Sequence, residues 1–314
     1  MTLIILARYT LIQHHNFIGE SAALSAALLW ALSSLVYSRL GTKIPPLQLN
    51  LYKGIIAIAL IIITLLIQGV TFANLSVSTV TLLAISGMIG IGLGDTAYFS
   101  ALNSLGARRT LLLETASPGM GALLALIFID EQLAYSSWCG ILLTILGIAW
   151  VISERLPVDQ IRVSGKGIIW GILAAISQAL GAVISRYALI QSEITPLEST
   201  LIRLVGGTVI VAGLLCLPVA QPTANQDSKG KTNWRLSPGS LGIIAIAAFG
   251  STYLGIWLQQ TSLKFAPTGI AQTFLATSPL FILPLVAWQG EKISLRAILG
   301  VVISVVGIAL MFIR

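Results

Sequence analysis

Charged residues are scarce in this chain of 314 residues. Lysine, arginine, aspartate and glutamate together make up 9% of the sequence, whereas 56% of the residues are hydrophobic and the mean hydropathy is +0.93. A soluble domain carries roughly 25% charged residues, so the charges here are too few to cover a globule of this size. The composition therefore excludes a soluble globular fold.

Cysteine and histidine are also rare, with two residues of each. Cys139 and Cys216 fall inside long apolar stretches, where a free cysteine ordinarily serves as a small hydrophobic side chain. The sequence contains no HExxH, GxSxG or Walker motif, each of which would signal a specific chemistry. We therefore expect no disulfide, no metal site, no catalytic group and no cofactor.

What the chain does contain is a series of apolar stretches of about 20 residues, each long enough to cross a bilayer as a helix. These runs lack the period-two alternation of a membrane β-barrel. We therefore predict an all-α polytopic membrane protein with ten transmembrane helices at about 19–38, 47–69, 79–102, 110–129, 135–153, 167–188, 197–218, 238–261, 268–288 and 293–313.

An internal repeat organises these spans. Ser117-Pro118, an apolar run and Glu131 in the first half are matched by Ser278-Pro279, an apolar run and Glu291 in the second. The basic residue Lys53 of the second span is likewise matched by Arg203 of the seventh. The predicted units are an N-terminal segment 1–18, a first five-helix repeat 19–153, a linker 154–166 and a second five-helix repeat 167–313.

The repeat predicts both an inverted architecture and a class of function. Five spans per half is an odd number, so the second half enters the membrane upside down relative to the first. Inverted repeats of this kind are how many secondary transporters are built, with the substrate site between the halves.

The net charge of +7 reflects topology rather than nucleic-acid binding, because no basic patch with interleaved aromatic residues is present. Apart from Lys53 and Arg203, twelve lysines and arginines fall on one side of the predicted membrane and four on the other. Loops rich in Lys and Arg stay in the cytosol. The count therefore predicts that the twelve-charge side is cytosolic and that both termini lie outside.

The clearest charged residues inside predicted spans are Lys53, Asp95, Glu114 and Arg203. Each costs roughly 2.5–3.5 kcal/mol to insert, so such residues are functional candidates by default. At 1.5 Å rise per residue, Lys53, Asp95 and Glu114 lie at one depth. One interpretation is that these charged residues line a cavity in which one of the acids titrates. The other is that they are structural: they form ion pairs, or the long side chains of Lys53 and Arg203 reach back to the membrane surface.

Polar and aromatic residues in the spans complete the candidate substrate site. A membrane helix has few reasons to hold several amides unless they face protein or water, although single ones also serve as interhelical hydrogen bonds and aromatics as interfacial anchors. The matched prolines Pro118 and Pro279 each remove a helical hydrogen bond and are candidate hinges. The remaining candidates are Trp30, Tyr98, Gln178, Tyr253, Trp257, Gln259, Gln260 and Gln272.

With these motifs located, residues 19–313 resemble the EamA family of the drug/metabolite transporter superfamily. The resemblance rests on the two five-span halves, on the Ser-Pro to Glu motif in each and on the basic position of the second span. It implies a ten-helix bundle whose cavity is formed by spans one, three, four, six, eight and nine, and substrates that are small metabolites or amphipathic compounds. It also implies cytosolic termini, in conflict with the charge count.

These observations predict a gradient-driven exporter of small organic solutes, such as amino acids or related amphipathic compounds, that works by alternating access in the plasma (inner) membrane of a prokaryote. The expected partners are the solute, the lipid bilayer and protons as the coupling ion, with no nucleic acid, and the expected state is a monomer or homodimer. Two other readings remain open: an intramembrane enzyme acting on a lipid or prenyl substrate, and a membrane scaffold that transports nothing.

Overall fold

The fold was analysed in a computed structural model that describes residues 2–40, 44–69, 75–153, 165–216, 238–281, 284 and 294–312. The described residues form helices joined by short connections and contain no β-strand. The α-helices are Thr2–Leu40, Pro46–Gln68, Val77–Gly87, Asp95–Leu105, Ala107–Glu114, Ala116–Ile129, Tyr135–Ile152, Gly165–Ile190, Pro196–Cys216, Pro238–Ala248, Gly255–Phe265, Thr268–Leu275 and Leu295–Phe312, with two π-helical segments, Met88–Gly94 and Phe249–Leu254.

Nine stretches among the described residues are long and apolar enough to cross a membrane. The ninth predicted span, 268–288, begins at Thr268 as a helix and is described continuously as far as Phe281. The prediction of an all-α polytopic membrane protein with ten spans in two repeats is confirmed. The predicted N-terminal segment 1–18 is helical from Thr2 and continuous with the first span, and residues 154–164 of the predicted linker lie outside the described residues.

The inversion of the two halves is visible where the fifth span packs on the tenth. Gly140 lies against Gly307, and Gly147 lies against Gly300, so residue numbers rise in one helix as they fall in the other. Between the two glycine pairs, Thr144 Oγ1 donates to the Ser304 carbonyl at 3.3 Å and Ser304 Oγ donates to the Thr144 carbonyl at 3.4 Å. Because an inverted repeat turns one half upside down relative to the other, its equivalent helices must run antiparallel and make reciprocal contacts. The fifth and tenth spans meet both conditions.

The halves also interlock through their central helices. The third span packs against the sixth and seventh spans of the second half, and the eighth span packs against the first and second spans of the first half. Ser86 Oγ donates to the Gly181 carbonyl at 2.6 Å, and Ser33 Oγ donates to the Ala247 carbonyl at 3.3 Å. Each half therefore completes its core with helices of the other.

Four spans depart from regular α-helix, in two equivalent pairs. The third and eighth spans contain the π-helical segments, which begin 161 residues apart at Met88 and Phe249. Pro118 and Pro279 are separated by the same offset. The fourth span is interrupted at Thr115 and the ninth at 276–277. Irregular turns within membrane helices leave carbonyl groups without their usual donors, and such turns are tolerated where neighbouring protein groups supply the hydrogen bonds.

The charge count predicts the orientation of the bundle. Tyr135 is exposed at the start of the fifth span, on the membrane face that also carries Glu131, and Gly165 is exposed at the start of the sixth span on the opposite face. In a background with Cys139→Ser and Cys216→Ser, we expect Tyr135→Cys to react with a membrane-impermeant maleimide in intact cells. Gly165→Cys should react only after permeabilisation, and the reverse pattern would show that the loop charges misassign the topology.

A side chain at the contact between the fifth and tenth spans should destabilise the bundle. A Cβ atom at Gly140 would lie 2.6 Å from the Gly307 carbonyl oxygen, so Gly140→Ala forces two backbones apart. We expect a loss of about 1–3 kcal/mol in the free energy of unfolding, the usual cost of overpacking, measured by unfolding in mixed detergent and SDS.

The matched control for this prediction is Gly213→Ala, because nothing lies within 4 Å of a Cβ atom at that position. The control should unfold like the wild type. Equal stability of the Gly140→Ala variant and the wild type would contradict the close contact of these two spans.

Candidate functional site

An ion pair inside the first half is the centre of the polar interior. Lys53 Nζ, on the second span, contacts Asp95 Oδ2 on the third, and the two side chains are 7% and 17% exposed. Lys53 Nζ also lies 5.0 Å from the centre of the Phe99 ring, at cation–π distance. Asp95 is the first α-helical residue after the π-helical segment Met88–Gly94, so the π turn sets the direction in which its carboxylate points.

A chain of amide contacts continues from this pair into the second half. Gln178 Nε2, on the sixth span, donates to Asp95 Oδ1 at 3.2 Å. Gln272 Nε2, on the ninth span, donates in turn to the Gln178 backbone carbonyl at 3.3 Å. Four predicted site residues, one each from spans two, three, six and nine, are thereby joined, so the polar interior crosses the boundary between the repeats.

The π-helical segment of the third span is held by a side chain that the sequence analysis did not single out. Asn50 Nδ2 donates to the Ile91 carbonyl at 2.9 Å, to the Gly92 carbonyl at 3.4 Å and to Thr96 Oγ1 at 3.1 Å. Asn50 is 2% exposed. Its position one turn before Lys53 on the same helix was the available signal, since a buried amide in a membrane helix needs a protein partner.

The second half carries its own polar group around the seventh and eighth spans. Arg203 is 1% exposed and its Nη1 atom lies 3.5 Å from Gln259 Oε1. Gln260 Oε1 accepts hydrogen bonds from Ser185 Oγ at 2.5 Å and from Ser199 Oγ at 2.8 Å. The interpretation that Lys53 and Arg203 reach back to the membrane surface is wrong, because Lys53 is 6% exposed and Arg203 is more deeply buried still.

Glu114 lies apart from the ion pair but close to it. It ends the first segment of the broken fourth span, and its Oε1 atom is buried without a hydrogen-bond partner. Glu114 and Tyr98 both lie close enough to Asp95 to interact with it electrostatically. The acid predicted at the depth of Lys53 and Asp95 therefore approaches them without joining their hydrogen-bonded network.

The aromatic candidates are distributed around the first and eighth spans. Trp30 Nε1 donates to the Ser251 carbonyl, within the second π-helical segment, at 2.8 Å. The Tyr253 hydroxyl shares a 2.8 Å hydrogen bond with Thr64 Oγ1, and its ring packs 6.1 Å from that of Trp257. Trp30 thus satisfies a carbonyl of the eighth span in the way that Asn50 satisfies carbonyls of the third.

The two candidate hinge prolines both follow a helix break. Pro118 is the third residue of the helix Ala116–Ile129, directly after the interruption at Thr115, and Pro279 is the second helical residue after the interruption at 276–277. Proline is well tolerated in a first helical turn, where its missing N–H would have no partner. The bend in each span therefore lies just before the Ser-Pro pair, and the hinge role remains a prediction.

A clamp at one membrane face is the second feature that the sequence analysis missed. Asp130 ends the fourth span with φ of 52°, a left-handed conformation that Asp adopts more readily than most residues. The following Glu131 accepts from Arg186 Nε at 3.0 Å and from the Thr268 N–H at 2.7 Å. The sequence analysis used Glu131 only as part of the repeated Ser-Pro to Glu motif.

Arg186 extends this clamp to a fourth helix. Its Nη1 atom donates to the carbonyls of Leu263 at 2.7 Å and Lys264 at 2.8 Å, at the end of the eighth span. Glu131 belongs to the first half and the other members belong to the second. The clamp therefore ties the ends of spans four, six and eight to the start of span nine. The counterpart motif residue Glu291 lies outside the described residues.

An apolar cleft of about 200 Å³ lies between the first and eighth spans, lined by Leu29, Leu32, Ser33, Val36, Ile246, Ala247 and Gly250. Leu32 is 43% exposed and Ile246 76% exposed. These side chains face the lipid side of the bundle, so the cleft is separate from the polar interior.

Breaking the central ion pair one partner at a time should cost more than removing it altogether. Lys53→Gln leaves the half-buried Asp95 carboxylate with only Gln178 as partner, and we expect a loss approaching the about 3–5 kcal/mol that breaking a buried ion pair costs in the free energy of unfolding. The double variant Lys53→Gln/Asp95→Asn removes both charges and should recover most of that loss. Unfolding in mixed detergent and SDS measures both. A loss in the double variant equal to the sum of the losses in Lys53→Gln and Asp95→Asn would show that the two charges do not interact.

Comparisons with known proteins agree with this architecture. The model of the EamA-like transporter family matches residues 17–153 and 165–313. A protein of Archaeoglobus fulgidus named as an uncharacterized transporter is 24% identical over 292 residues, which cover 92% of this chain and 96% of that protein. A protein crystal structure shares the fold over 95% of this chain and 98% of its own, with a TM-score of 0.73 and 18% identity. The matches to both repeats show that the chain belongs to the EamA-like transporter family.

Proposed function

We propose that the protein is a secondary active transporter that exports small organic solutes, such as amino acids or related amphipathic compounds, by alternating access of its two halves. Membership of a transporter family supports the general class. The observation that carries the proposal is the chain of polar contacts from Lys53 through Asp95 and Gln178 to Gln272, because it crosses from one repeat to the other inside the bundle.

Polar groups are costly inside a membrane protein unless they face protein or water, and they commonly mark solute pathways. The substrate would bind between the halves, with Lys53, Asp95, Gln178 and Gln272 on one side of it. On the other side would be Arg203 and the eighth-span residues Tyr253, Trp257, Gln259 and Gln260, with Trp30, Tyr98 and Glu114 completing the pocket.

Alternating access requires one membrane face to be closed while the other is open. The Glu131–Arg186 clamp joins the halves at a single face, where it also binds the start of the ninth span through the Thr268 N–H. We propose that this clamp is the closed gate, and that it parts when the solute leaves on that side. The bends before Pro118 and Pro279 would absorb the movement of spans four and nine.

Glu114 is the best candidate for proton coupling. Both carboxylate oxygens of Asp95 have partners, Lys53 and Gln178, whereas Glu114 Oε1 has none and is buried. A proton gained or lost at Glu114 therefore changes the charge of a group that forms no ion pair among the described residues. We propose that the proton gradient drives transport through this residue.

Two observations bear on the alternatives. An intramembrane enzyme on a lipid or prenyl substrate would need paired acids or a metal-binding group, and Asp95 is instead engaged with Lys53. A scaffold without transport predicts that substitutions of the interior amides have no effect on flux. We propose the plasma membrane of a prokaryote as the location, which the archaeal source of the A. fulgidus relative supports.

The test begins with a thermal-shift screen of the purified protein against amino acids, nucleosides, sugars, polyamines and organic acids. Stabilising compounds are then loaded, radiolabelled, into proteoliposomes, and efflux is followed with and without an imposed pH gradient. We expect the gradient to accelerate efflux in the wild type and to have little effect on Glu114→Gln, because that variant cannot exchange a proton.

The matched control is Glu193→Gln, an exposed acid in the connection before the seventh span, which should behave like the wild type. The variant Asp95→Asn tests which of the two acids couples transport to protons. If only Asp95→Asn loses the response to the pH gradient, Asp95 is the coupling residue and Glu114 is not. Full gradient response in both Glu114→Gln and Asp95→Asn would contradict proton coupling through this site.

A further inference from the structure

Arg203 is a buried cation outside the ion pairs of the described residues. It is the largest fully buried side chain in the described part of the protein, its Nε atom has no hydrogen-bond partner, and its Nη1 atom has only the 3.5 Å contact with Gln259. Among the described residues, no carboxylate forms an ion pair with it. A buried charge is normally paired, so this arrangement calls for an explanation.

The repeat shows which partner is missing. Lys53 occupies the position in the first half that Arg203 occupies in the second, and Lys53 is paired with Asp95. The offset of 161 residues that relates the third span to the eighth places Ile256 where the first half has Asp95. Ile256 is buried and cannot accept a hydrogen bond or carry charge. The basic residue of the first half is therefore paired within its own half, whereas Arg203 forms no ion pair among the described residues.

A second unpaired donor lies on the eighth span, next to the glutamine that contacts Arg203. Gln260 Nε2 is buried without a partner, while Gln260 Oε1 is already occupied by Ser185 and Ser199. Ser199 precedes Arg203 by four residues on the seventh span, so the two lie on the same helix face. Arg203 Nε and Gln260 Nε2 are thus two buried donors without partners, one of them cationic.

The guanidinium lies where helices of both repeats meet. A Cβ atom added at Gly90 would lie 3.2 Å from Arg203 Nη2 and 3.6 Å from the Cα atom of Gly181. Gly90 belongs to the first π-helical segment and Gly181 to the sixth span, which also carries Gln178. Arg203 therefore stands at the same junction of the repeats as the chain of contacts through Gln178.

We propose that Arg203 and Gln260 form an anion subsite that binds the carboxylate of the transported solute. This inference rests on the proposed transport function and narrows its substrate class to compounds with a carboxylate group. A carboxylate is an acceptor-only group whose two oxygens match the planar fork of arginine. Its single negative charge balances the single positive charge of Arg203, whereas a phosphate dianion would leave one negative charge uncompensated.

The test compares carboxylates with uncharged amides of the same shape. The purified full chain is titrated with benzoate and benzamide, 4-methylpentanoate and 4-methylpentanamide, and leucine and leucinamide at constant ionic strength, and dissociation constants are taken from thermal shifts. We expect each carboxylate to bind more tightly than its amide. Arg203→Gln should weaken carboxylate binding about tenfold or more, the effect of losing one charge-assisted hydrogen bond, and leave amide binding unchanged.

Arg296→Gln is the matched control, because Arg296 pairs with Trp150 and Ser153 at the opposite face and should keep the carboxylate preference. Arg203→Lys keeps the positive charge but loses the planar guanidinium group, so it should bind carboxylates with an affinity between those of the wild type and Arg203→Gln. This variant provides the test if Arg203→Gln does not fold. Equal binding of carboxylates and amides, or a carboxylate preference that survives both Arg203 substitutions, overturns the proposal.

A titration with inorganic phosphate tests whether the subsite prefers a phosphate or a carboxylate. Tighter, Arg203-dependent binding of phosphate than of any carboxylate would overturn the carboxylate assignment. Because binding is measured in detergent without a gradient, it is independent of flux. Arg203-dependent carboxylate binding with no efflux from proteoliposomes would contradict the transport function and not the subsite. Efflux of uncharged solutes with no carboxylate preference would contradict the subsite and not transport.

Discussion

A polar side chain inside the hydrocarbon layer must find its partner within the protein, and the interior of this bundle is arranged around that requirement. Lys53 is paired with Asp95, Asn50 and Trp30 bind carbonyls of the π-helical segments, and Gln260 accepts from two serines. Because these partners lie on different helices, each hydrogen bond also fixes one span against another. The polar interior is therefore part of what holds the bundle together, as well as a surface for a solute.

The near symmetry of the repeats makes the departures from it informative. The contacts between the fifth and tenth spans are reciprocal, and the two π-helical segments fall at equivalent positions. Against this background, the pairing of Lys53 and the isolation of Arg203 stand out as a difference between halves that otherwise fold alike. Structural needs are shared by both repeats, so a chemical difference between them is where specific recognition is expected.

The sequence predicted the architecture well because apolar length and the repeat depend only on residue order. It also predicted that Lys53 and Asp95 lie at the same depth in the membrane, since the helical rise per residue alone sets the depth of a residue within its span. It could not predict the π-helical segments, because the run from Met88 to Gly94 is as compatible with α as with π geometry. The sequence did not predict the Glu131–Arg186 clamp either, for a different reason. The direction of a side chain beyond a helix end depends on the backbone turn at Asp130, which spacing does not encode.

The π-helical segment before Asp95 has a geometric consequence for the ion pair. A π turn accommodates one residue more than an α turn, and one residue corresponds to about 100° of rotation around a helix axis. If Met88–Gly94 adopted α-helical spacing, everything after it on the third span would change its angular register by about that amount. Asp95 would then turn away from both Lys53 and Gln178, and the link between the repeats would open without any helix leaving the bundle. The local pitch of seven residues thus controls whether Asp95 contacts Lys53 in its own half and Gln178 in the other half.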